Sequence, residues 1–165
     1  MAELQRLGVG HGPAVLAFEV ANRGYFAASI SDRGDAYFER FGELFEALLG
    51  DQEAGHGAYY VLVADDGAVL GRFNLIFTGE GAAEVGYRVA QQAAGRGVAT
   101  AAVCELCRLA TERHGLRTLR AAASRANTAS QRVLAKAGFV PAGPADPADL
   151  GGKPGTWYQR DLAKP

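Results

Sequence analysis

The 165-residue sequence lacks any apolar run long enough to cross a membrane, and it contains only two cysteines. A transmembrane helix needs roughly 18 or more consecutive apolar residues. The opening residues, MAELQRLGVGHG, also lack the basic segment and apolar core of a secretory signal. These absences predict a cytoplasmic protein that does not bind a membrane.

The two cysteines, Cys104 and Cys107, lie three positions apart in a helical pattern. That spacing occurs in redox pairs and in half of a zinc site, but no second pair follows and the nearest histidine, His114, stands alone. We therefore expect no metal site. Both thiols are predicted to act as small apolar side chains on a buried helix face.

Apolar residues make up 48% of the chain and charged residues 21%, which is typical of a globular protein of one domain. Residues 1–90 contain 6 Lys or Arg and 13 Asp or Glu, whereas residues 91–165 contain 11 and 5. This division suits a protein that binds a polyanion with its second half and attracts a cation with its first, although a solvated surface explains it equally well. No basic run alternates with aromatic residues, so direct binding of nucleic acid is not expected.

Helical patterns dominate the first third of the chain. Residues 4–9 predict a short strand, and residues 14–22 predict a first helix. A second helix is predicted from a cap at Ser31 or Asp32 to an end at Gly50. Its apolar residues recur at helical spacing and are Phe38, Phe41, Phe45 and Leu48.

The pattern then changes to extended runs. Residues 59–63 and 69–77 flank an Asp-Asp-Gly turn and predict a hairpin, and residues 84–89 complete an antiparallel meander. The elements predicted downstream are a helix over 98–114, a strand over 119–124, a helix from Asn127 to Gly138, a strand opening at 139–140, a loop over 141–155 and a strand over 156–162. This order predicts one mixed sheet with helices on both faces.

A short turn with two glycines, Gly95 and Gly97, joins the strand at 84–89 to the helix at 98–114. Glycine adopts backbone angles closed to other residues and lets a ligand approach the main chain. The first amides of a helix have no internal acceptors, so with the helix dipole they form a site for a pyrophosphate, beside which Arg96 adds positive charge. The turn lacks the Gly-Lys-Ser/Thr of a P-loop and the third glycine of a dinucleotide fingerprint.

Two motifs about thirty residues apart carry a family resemblance. The first is GRGVAT at residues 95–100, and the second is NTASQRVLAKAGF at residues 127–139. Together they resemble the GNAT superfamily of N-acetyltransferases, and more narrowly its Rim-type branch of ribosomal-protein N-terminal acetyltransferases. The sequence AEVGY at residues 83–87 is similar to the central strand of that branch.

The resemblance implies an α/β (α+β) fold of the GNAT type, with a mostly antiparallel mixed sheet, a splayed parallel pair of strands at its centre, and helices on both faces. It implies one domain over residues 1–165, with a helical acceptor-side segment at 1–55 and an acetyl-CoA-binding core at 56–165. The implied cosubstrate is acetyl-CoA. The implied partner is an amine acceptor, either a protein N-terminus or a small molecule, and a homodimer is left open.

The same resemblance assigns residues to the cosubstrate. Pantetheine amides pair with the splayed strand, the pyrophosphate rests on the loop amides, and Asn127 contacts the cosubstrate arm. The implied cofactor-binding residues are Tyr87, Arg88, Val89, Gly95, Arg96, Gly97, Val98, Ala99, Thr100, Asn127 and Arg132.

The sequence departs from the family pattern at three places. Ala94 stands where the loop usually begins with Gln or Arg, and Leu134 stands where many members have a tyrosine that protonates the departing thiolate. Residues 121–123 are alanines, where N-terminal acetyltransferases often place a glutamate. The binding residues therefore match the family better than the catalytic ones do.

Acetyl transfer to an amine requires positioning of both reactants, removal of a proton and a donor for the developing oxyanion. The expected oxyanion donor is the Val89 amide. Glu84 is the predicted proton acceptor, and Ser130 is the predicted partner of the thiolate. Structural interpretations also stand: Glu84 as a solvated or arginine-paired carboxylate, Ser130 as a local helix cap, and Tyr87 as a core residue instead of a wall of the acceptor tunnel.

Three functions are compatible with these features. The first is an N-acetyltransferase in which the amine attacks acetyl-CoA directly in a ternary complex. The second is a non-catalytic module that binds acyl-CoA or regulates another protein. The third is a different phosphate-loop fold that binds a nucleotide, which leaves the motif at residues 127–139 unexplained.

Overall fold

The computed structural model describes residues 2–162, which form a seven-stranded sheet with helices on both faces. The strands are β1 Glu3–Arg6, β2 Gly57–Val63, β3 Val69–Gly79, β4 Ala82–Val89, β5 Thr118–Ser124, β6 Val140–Ala145 and β7 Gly155–Asp161. The helices are α1 Gly12–Ala21, α2 Arg23–Ala27, α3 Asp35–Glu39, α4 Phe41–Glu53, α5 Val98–His114 and α6 Thr128–Lys136. In this described part of the chain, no helix has the length and apolar content needed to cross a bilayer.

The strands lie in the order β1-β2-β3-β4-β5-β7-β6. β4 and β5 are parallel, and every other neighbouring pair is antiparallel. A parallel pair needs a crossover connection, which α5 supplies. The predicted fold class, a mixed and mostly antiparallel sheet with one parallel pair at its centre, is confirmed.

The sheet separates two hydrophobic cores because alternate residues of each strand point to opposite faces. In β2, Tyr60 packs into the core that α5 and α6 cover, whereas Tyr59 and Val61 pack into the core that contains side chains of α1, α2 and α4. The completely buried side chains Leu106, Leu119 and Leu134 belong to the first core. The helices therefore lie on both faces, as predicted.

Helix α5 has the predicted bounds because its sequence marks both ends. Gly97 precedes it with a φ of 75°, and Gly115 follows it with a φ of 61°. Glycine adopts such left-handed angles without the steric cost that other residues incur. The buried positions within the helix follow helical spacing and are Ala102, Val103, Leu106, Cys107, Leu109 and Ala110.

The prediction of one long second helix is wrong. Two helices, α3 and α4, meet at Arg40, and a short helix, α2, precedes them. Gly50 lies inside α4, and the left-handed glycine that follows that helix is Gly55, with a φ of 81°. Gly50 was a misleading signal because a glycine ends a helix only where the chain turns left-handed.

The predicted loop over residues 141–155 is also wrong in its first part. Residues 140–145 form β6, which pairs with β7 and lies at the edge of the sheet. Proline lacks an amide hydrogen, but an edge strand tolerates it because one side of the strand needs no partner. Pro141 and Pro144 therefore do not prevent strand formation.

The predicted burial of both cysteines holds for one of them. Cys107 packs into the core, but Cys104 is exposed. The apolar face of α5 contains residues 102, 103, 106, 107, 109 and 110, and position 104 lies beyond its edge. Among the described residues, no group of three or more His, Cys, Asp or Glu is placed to hold a metal ion.

Candidate active site

The two central strands separate partway along their length. Residues 82–84 of β4 lie opposite residues 118–120 of β5, and the pairing stops there. Beyond this point β4 stays paired with β3 as far as Val89, and β5 stays paired with β7 as far as Ser124. Each strand keeps its outer neighbour while a gap opens between them, which confirms the predicted splay.

The inner edge of β4 directs backbone amides into this gap. The Ala90 amide donates to the Leu70 carbonyl on β3 at 2.8 Å. Because backbone N–H groups alternate between the two edges of an antiparallel strand, the amides of Tyr87 and Val89 point the other way, toward the gap. An extended ligand can pair with such an edge as an added strand does.

The loop after β4 contains two left-handed glycines, Gly95 with a φ of 74° and Gly97 with a φ of 75°. A Cβ built at either position meets no atom within 4 Å, so the space in front of the backbone is open. Ala101 donates to the Gly97 carbonyl at 3.0 Å and so begins the helical hydrogen-bond ladder of α5. The amides of residues 98–100 precede that ladder, which is the arrangement that binds a phosphate at a helix N-terminus.

Asn22, at the end of α1, anchors this loop. Its Oδ1 accepts a hydrogen bond from the Gln91 amide at 3.0 Å, and its Nδ2 donates to the Phe18 carbonyl at 2.9 Å. The side chain therefore joins the first helix to the short 3-10 turn at Gln91–Ala93 that leads into the two glycines. A long-range contact thus fixes the position of a local motif.

A cavity of about 410 Å³ lies between the loop, α2 and α6, and we call it the loop cavity. From α6 it is lined by Ala129, Arg132, Val133 and Lys136, which share one face because residues three and four apart on a helix are neighbours. The predicted residues that line it are Tyr87, Arg88, Val89, Gly95, Gly97, Val98, Ala99, Thr100, Asn127, Ser130 and Arg132.

A second cavity of about 410 Å³ lies beside the first, and we call it the arginine cavity. Its charged lining residues are Arg33, Arg72, Arg88, Asp149 and Lys153. Six residues line both cavities, and they are Ser29, Ile30, Tyr87, Arg88, Asn127 and Ser130. The two spaces therefore meet at the gap between β4 and β5.

Three side chains are hydrogen-bonded at this junction. The Tyr87 hydroxyl lies 3.0 Å from Ser130 Oγ, and Asn127 Oδ1 accepts from the Ser130 amide at 3.1 Å. Burial raises the pKa of Tyr87, an effect that the hydrogen bond to Ser130 partly offsets. The phenol is thus neutral at physiological pH, and the pair places two hydroxyl groups between the cavities. The prediction that Asn127 caps α6 is confirmed.

A buried carboxylate lies behind the arginine cavity. Glu19 is 1% exposed, and its carboxylate accepts four hydrogen bonds from arginines. Two come from Nε and Nη2 of Arg33, at 2.9 and 3.0 Å. The others come from Nη1 of Arg72 at 2.7 Å and Nη1 of Arg88 at 3.2 Å. Burial alone raises the pKa of Glu19, but the hydrogen bonds and charges of the arginines outweigh it and hold that pKa below its usual value. Glu19 is therefore ionised at neutral pH.

Two predicted site residues lie outside both cavities. Arg96 is exposed on the loop and lines neither of them. Glu84 lies on the paired part of β4, opposite Arg120 on β5 and Ile76 on β3. It shares a sheet face with Gly86 and Arg88 of the arginine cavity, since alternate residues of a strand point the same way. The structure does not bring Glu84 together with the other candidate residues.

Sequence reasoning missed several residues of the two cavities. Lys136 lies one turn after Arg132 on α6, and its helical spacing from that residue was a usable signal. Arg33, Arg72 and Glu19 gave no signal, because they are 14 to 53 positions apart in the chain and meet only in the fold.

Comparison with known families and structures agrees with this geometry. A family model described as an acetyltransferase (GNAT) domain matches residues 18–140. No protein with a curated function matches the sequence.

Solved structures of acetyltransferases share the fold. The ribosomal-protein-S5-alanine acetyltransferase from Vibrio fischeri has a TM-score of 0.88 and 20% identity, over 99% of this chain and 96% of that one. RimJ from Mycobacterium smegmatis, in complex with CoA-disulfide, has a TM-score of 0.85 and 20% identity, over 97% and 81% of the chains. A mutant of the spermidine N-acetyltransferase SpeG from Vibrio cholerae has a TM-score of 0.78 and 16% identity, over 98% of this chain and 96% of that one.

Proposed function

This chain belongs to the GNAT acetyltransferase family and is an acetyltransferase, and we propose that it transfers the acetyl group of acetyl-CoA to a primary amine in a ternary complex. The observation that carries this proposal is the gap between β4 and β5, which opens beside the glycine loop. We further propose that residues 1–55 form the acceptor side and residues 56–165 the acetyl-CoA-binding core, in a protein that acts in the cytoplasm.

In this proposal acetyl-CoA occupies the loop cavity. Its pyrophosphate accepts hydrogen bonds from the amides of residues 95–100, near the positive charges of Arg132 and Lys136. Arg96 contributes charge from the exposed side of the loop. On the inner edge of β4, the amides and carbonyls of Tyr87 and Val89 face the gap. The pantetheine N–H groups donate to these carbonyls, so the Val89 amide stays free for the thioester oxygen. The thioester then lies at the junction of the two cavities.

The amine enters from the arginine cavity and attacks the thioester carbonyl there. A C–N bond forms, the C–S bond breaks, the ammonium proton is lost to a base, and the thiolate leaves. The Val89 amide donates to the oxyanion. The Ser130 hydroxyl, held by the Tyr87 hydroxyl at 3.0 Å, donates to the departing thiolate. Much of the acceleration comes from holding the two reactants together.

Glu84 remains our candidate for the proton acceptor, and its position requires a water relay. It lies two residues before Gly86, the first residue of its sheet face that lines the arginine cavity. A relay through one water is compatible with general base catalysis. Leu134, where many family members carry a tyrosine, is 0% exposed, so the helix supplies no acid at that position and the Ser130–Tyr87 pair takes that role.

The direct test is release of CoA thiol from acetyl-CoA in the presence of a panel of amines and N-terminal peptides. Release of thiol from acetyl-CoA that depends on the presence of at least one of the amines supports the proposal. Tight binding of acetyl-CoA without turnover of any acceptor contradicts it and favours a non-catalytic acyl-CoA-binding module. If the protein binds a nucleotide and CoA does not displace it, both the acetyltransferase and the acyl-CoA-binding module are contradicted.

A further inference from the structure

Three arginines face the proposed acceptor space with one carboxylate between them. Arg72 on β3 and Arg88 on β4 are direct partners across the strand pair. Arg33, in the connection between α2 and α3, pairs with the same carboxylate as they do, that of Glu19. Like charges directly opposite each other destabilise an antiparallel pair. Such a pair of arginines is therefore stable only where a neighbouring or bound negative charge offsets their repulsion.

Glu19 cannot satisfy this cluster alone. A carboxylate accepts roughly four hydrogen bonds, whereas each guanidinium offers roughly five N–H donors. Glu19 already accepts four bonds, and one further N–H, from Arg72, goes to the Tyr37 hydroxyl at 3.0 Å. Most of the N–H donors of the three arginines therefore have no carboxylate partner within the cluster.

The other charged residues that line the arginine cavity leave its net charge positive. Lys153 also lines it, with Nζ donating to the Ser29 carbonyl at 3.1 Å, and Asp149 is the one acidic lining residue in the described part of the chain. Burial lowers the pKa of Arg88 below its usual value, and the charges of Arg33 and Arg72 lower it further, whereas the charge of Glu19 partly offsets these effects.

The arginines are also open to a ligand. Their side chains are 28%, 8% and 18% exposed for Arg33, Arg72 and Arg88, and all three line the arginine cavity. A purely structural partner for the buried Glu19 needs fewer cations, since one bidentate arginine already pairs with both carboxylate oxygens. The extra guanidinium groups face the space through which the acceptor enters.

We propose that the acceptor amine carries an anionic group, a carboxylate or a phosphate, close to its nitrogen, and that Arg33, Arg72 and Arg88 bind this group. The inference rests on the proposed function and names its substrate class. Arg88 lines both cavities, which meet where the thioester is proposed to lie. An anion held at Arg88 is therefore near the reacting thioester, which favours a small amino acid over a polyamine.

This inference reverses the expectation from charge distribution. The acidic excess of residues 1–90 predicts a cationic acceptor, yet three of the six Lys or Arg residues in that segment are Arg33, Arg72 and Arg88. Only the fold shows that these few positive charges surround one cavity. Composition averages over a surface, and it does not report the lining of a cavity.

The test compares acceptors that differ only in the anion. The acids are glycine and alanine, each compared with its C-terminal amide, and the phosphate pair is O-phosphoethanolamine with ethanolamine. We expect kcat/KM for the preferred anionic acceptor to exceed that of its neutral partner by about 30-fold or more, as charge-assisted hydrogen bonds require. Amide amines are less basic, so solution chemistry alone favours the opposite order. The phosphate pair distinguishes a phosphate acceptor from a carboxylate acceptor.

Two variants complete the test. Arg33→Gln should reduce the preference for the anion about 10-fold and leave KM for acetyl-CoA unchanged. Arg113→Gln, the same change at an exposed position on α5, should alter neither quantity. Equal rates for acids and amides, faster turnover of spermidine, or identical behaviour of the two variants would each overturn the inference.

Failure of the proposed function gives a different result. If no amine is acetylated, the anion site is tested by calorimetric titration with N-acetylglycine, N-acetylalanine and their amides. Binding of the acids to the wild-type protein and weaker binding to Arg33→Gln supports the site even then. Absence of a difference between acids and amides overturns it.

Discussion

Replacing Gly97 by glutamate should greatly weaken the binding of acetyl-CoA without unfolding the protein. Gly97 has a φ of 75°, and a residue with a side chain incurs roughly 1–2 kcal/mol of strain in that left-handed region. No atom lies within 4 Å of a Cβ built there, so the side chain projects into open space without a clash. A loss of 1–2 kcal/mol leaves a domain of ordinary stability folded.

The effect on binding is electrostatic. At about 6 Å and an effective dielectric constant of about 20, a carboxylate repels each phosphate charge by about 3 kcal/mol. Solvent and salt screen part of this repulsion at an exposed loop, which leaves roughly 2–4 kcal/mol, or about 30- to 700-fold weaker binding. The glutamate side chain also narrows the space in front of the helix amides, which weakens pyrophosphate binding further by steric exclusion.

The assay is calorimetric titration of CoA into three proteins, the wild type, Gly97→Glu and Gly97→Gln. Glutamine has the same size and the same backbone strain as glutamate but no charge, so it isolates the electrostatic contribution. Circular dichroism melts of the two variants should coincide. Affinity of Gly97→Glu within about threefold of Gly97→Gln would refute the placement of the pyrophosphate at this loop.

The remaining predictions concern catalysis and stability. Tyr87→Phe should lower kcat about 3- to 10-fold with little change in KM for acetyl-CoA, because it removes the hydroxyl that holds Ser130 Oγ; steady-state kinetics measures both constants. Glu84→Gln should lower the rate and move the pH optimum upward, because deprotonation of the amine then depends on solution hydroxide; an unchanged pH–rate profile removes Glu84 from the mechanism. Glu19→Gln should destabilise the fold by about 3–5 kcal/mol in urea unfolding, because it leaves buried arginines without their anion. Since the folded-state pKa of Glu19 is lowered, its contribution is complete above the unfolded-state value near 4.3 and is lost as pH falls through the folded value, so acid should narrow the difference between the variant and the wild type.

The sequence predicted best those elements whose ends are marked by local chemistry. Glycines at both ends define α5, and the Asn127 side chain caps α6. Such signals lie within a few residues of what they determine. The lining of the loop cavity was predictable for the same reason, because strand, glycine loop and helix follow one another directly in the chain.

Elements that depend on distant partners were predicted less well. β6 forms because β7 lies beside it, and its prolines are tolerated because it is an edge strand. Gly50 was predicted to end the second helix, but α4 continues through it to Glu53. Local propensity is a weak prior wherever packing decides the outcome.

The arginine cavity was the least predictable part of the candidate site. Glu19 meets Arg72 and Arg88 across 53 and 69 positions of sequence, and no periodicity or motif marks either contact. Arg72 appears in the sequence as an ordinary polar residue of a β-strand, and the family resemblance assigned Arg88 to the cosubstrate and not to an acceptor. Only the register of β3 and β4 places them together.

The most direct test of this account is a crystal structure of the protein with CoA. We predict diphosphate oxygens within hydrogen-bond distance of the amides of residues 95–100, and pantetheine amides paired with the inner edge of β4 at Tyr87 and Val89. CoA bound elsewhere, or a complex in which β4 and β5 are paired along their whole length, would contradict the account.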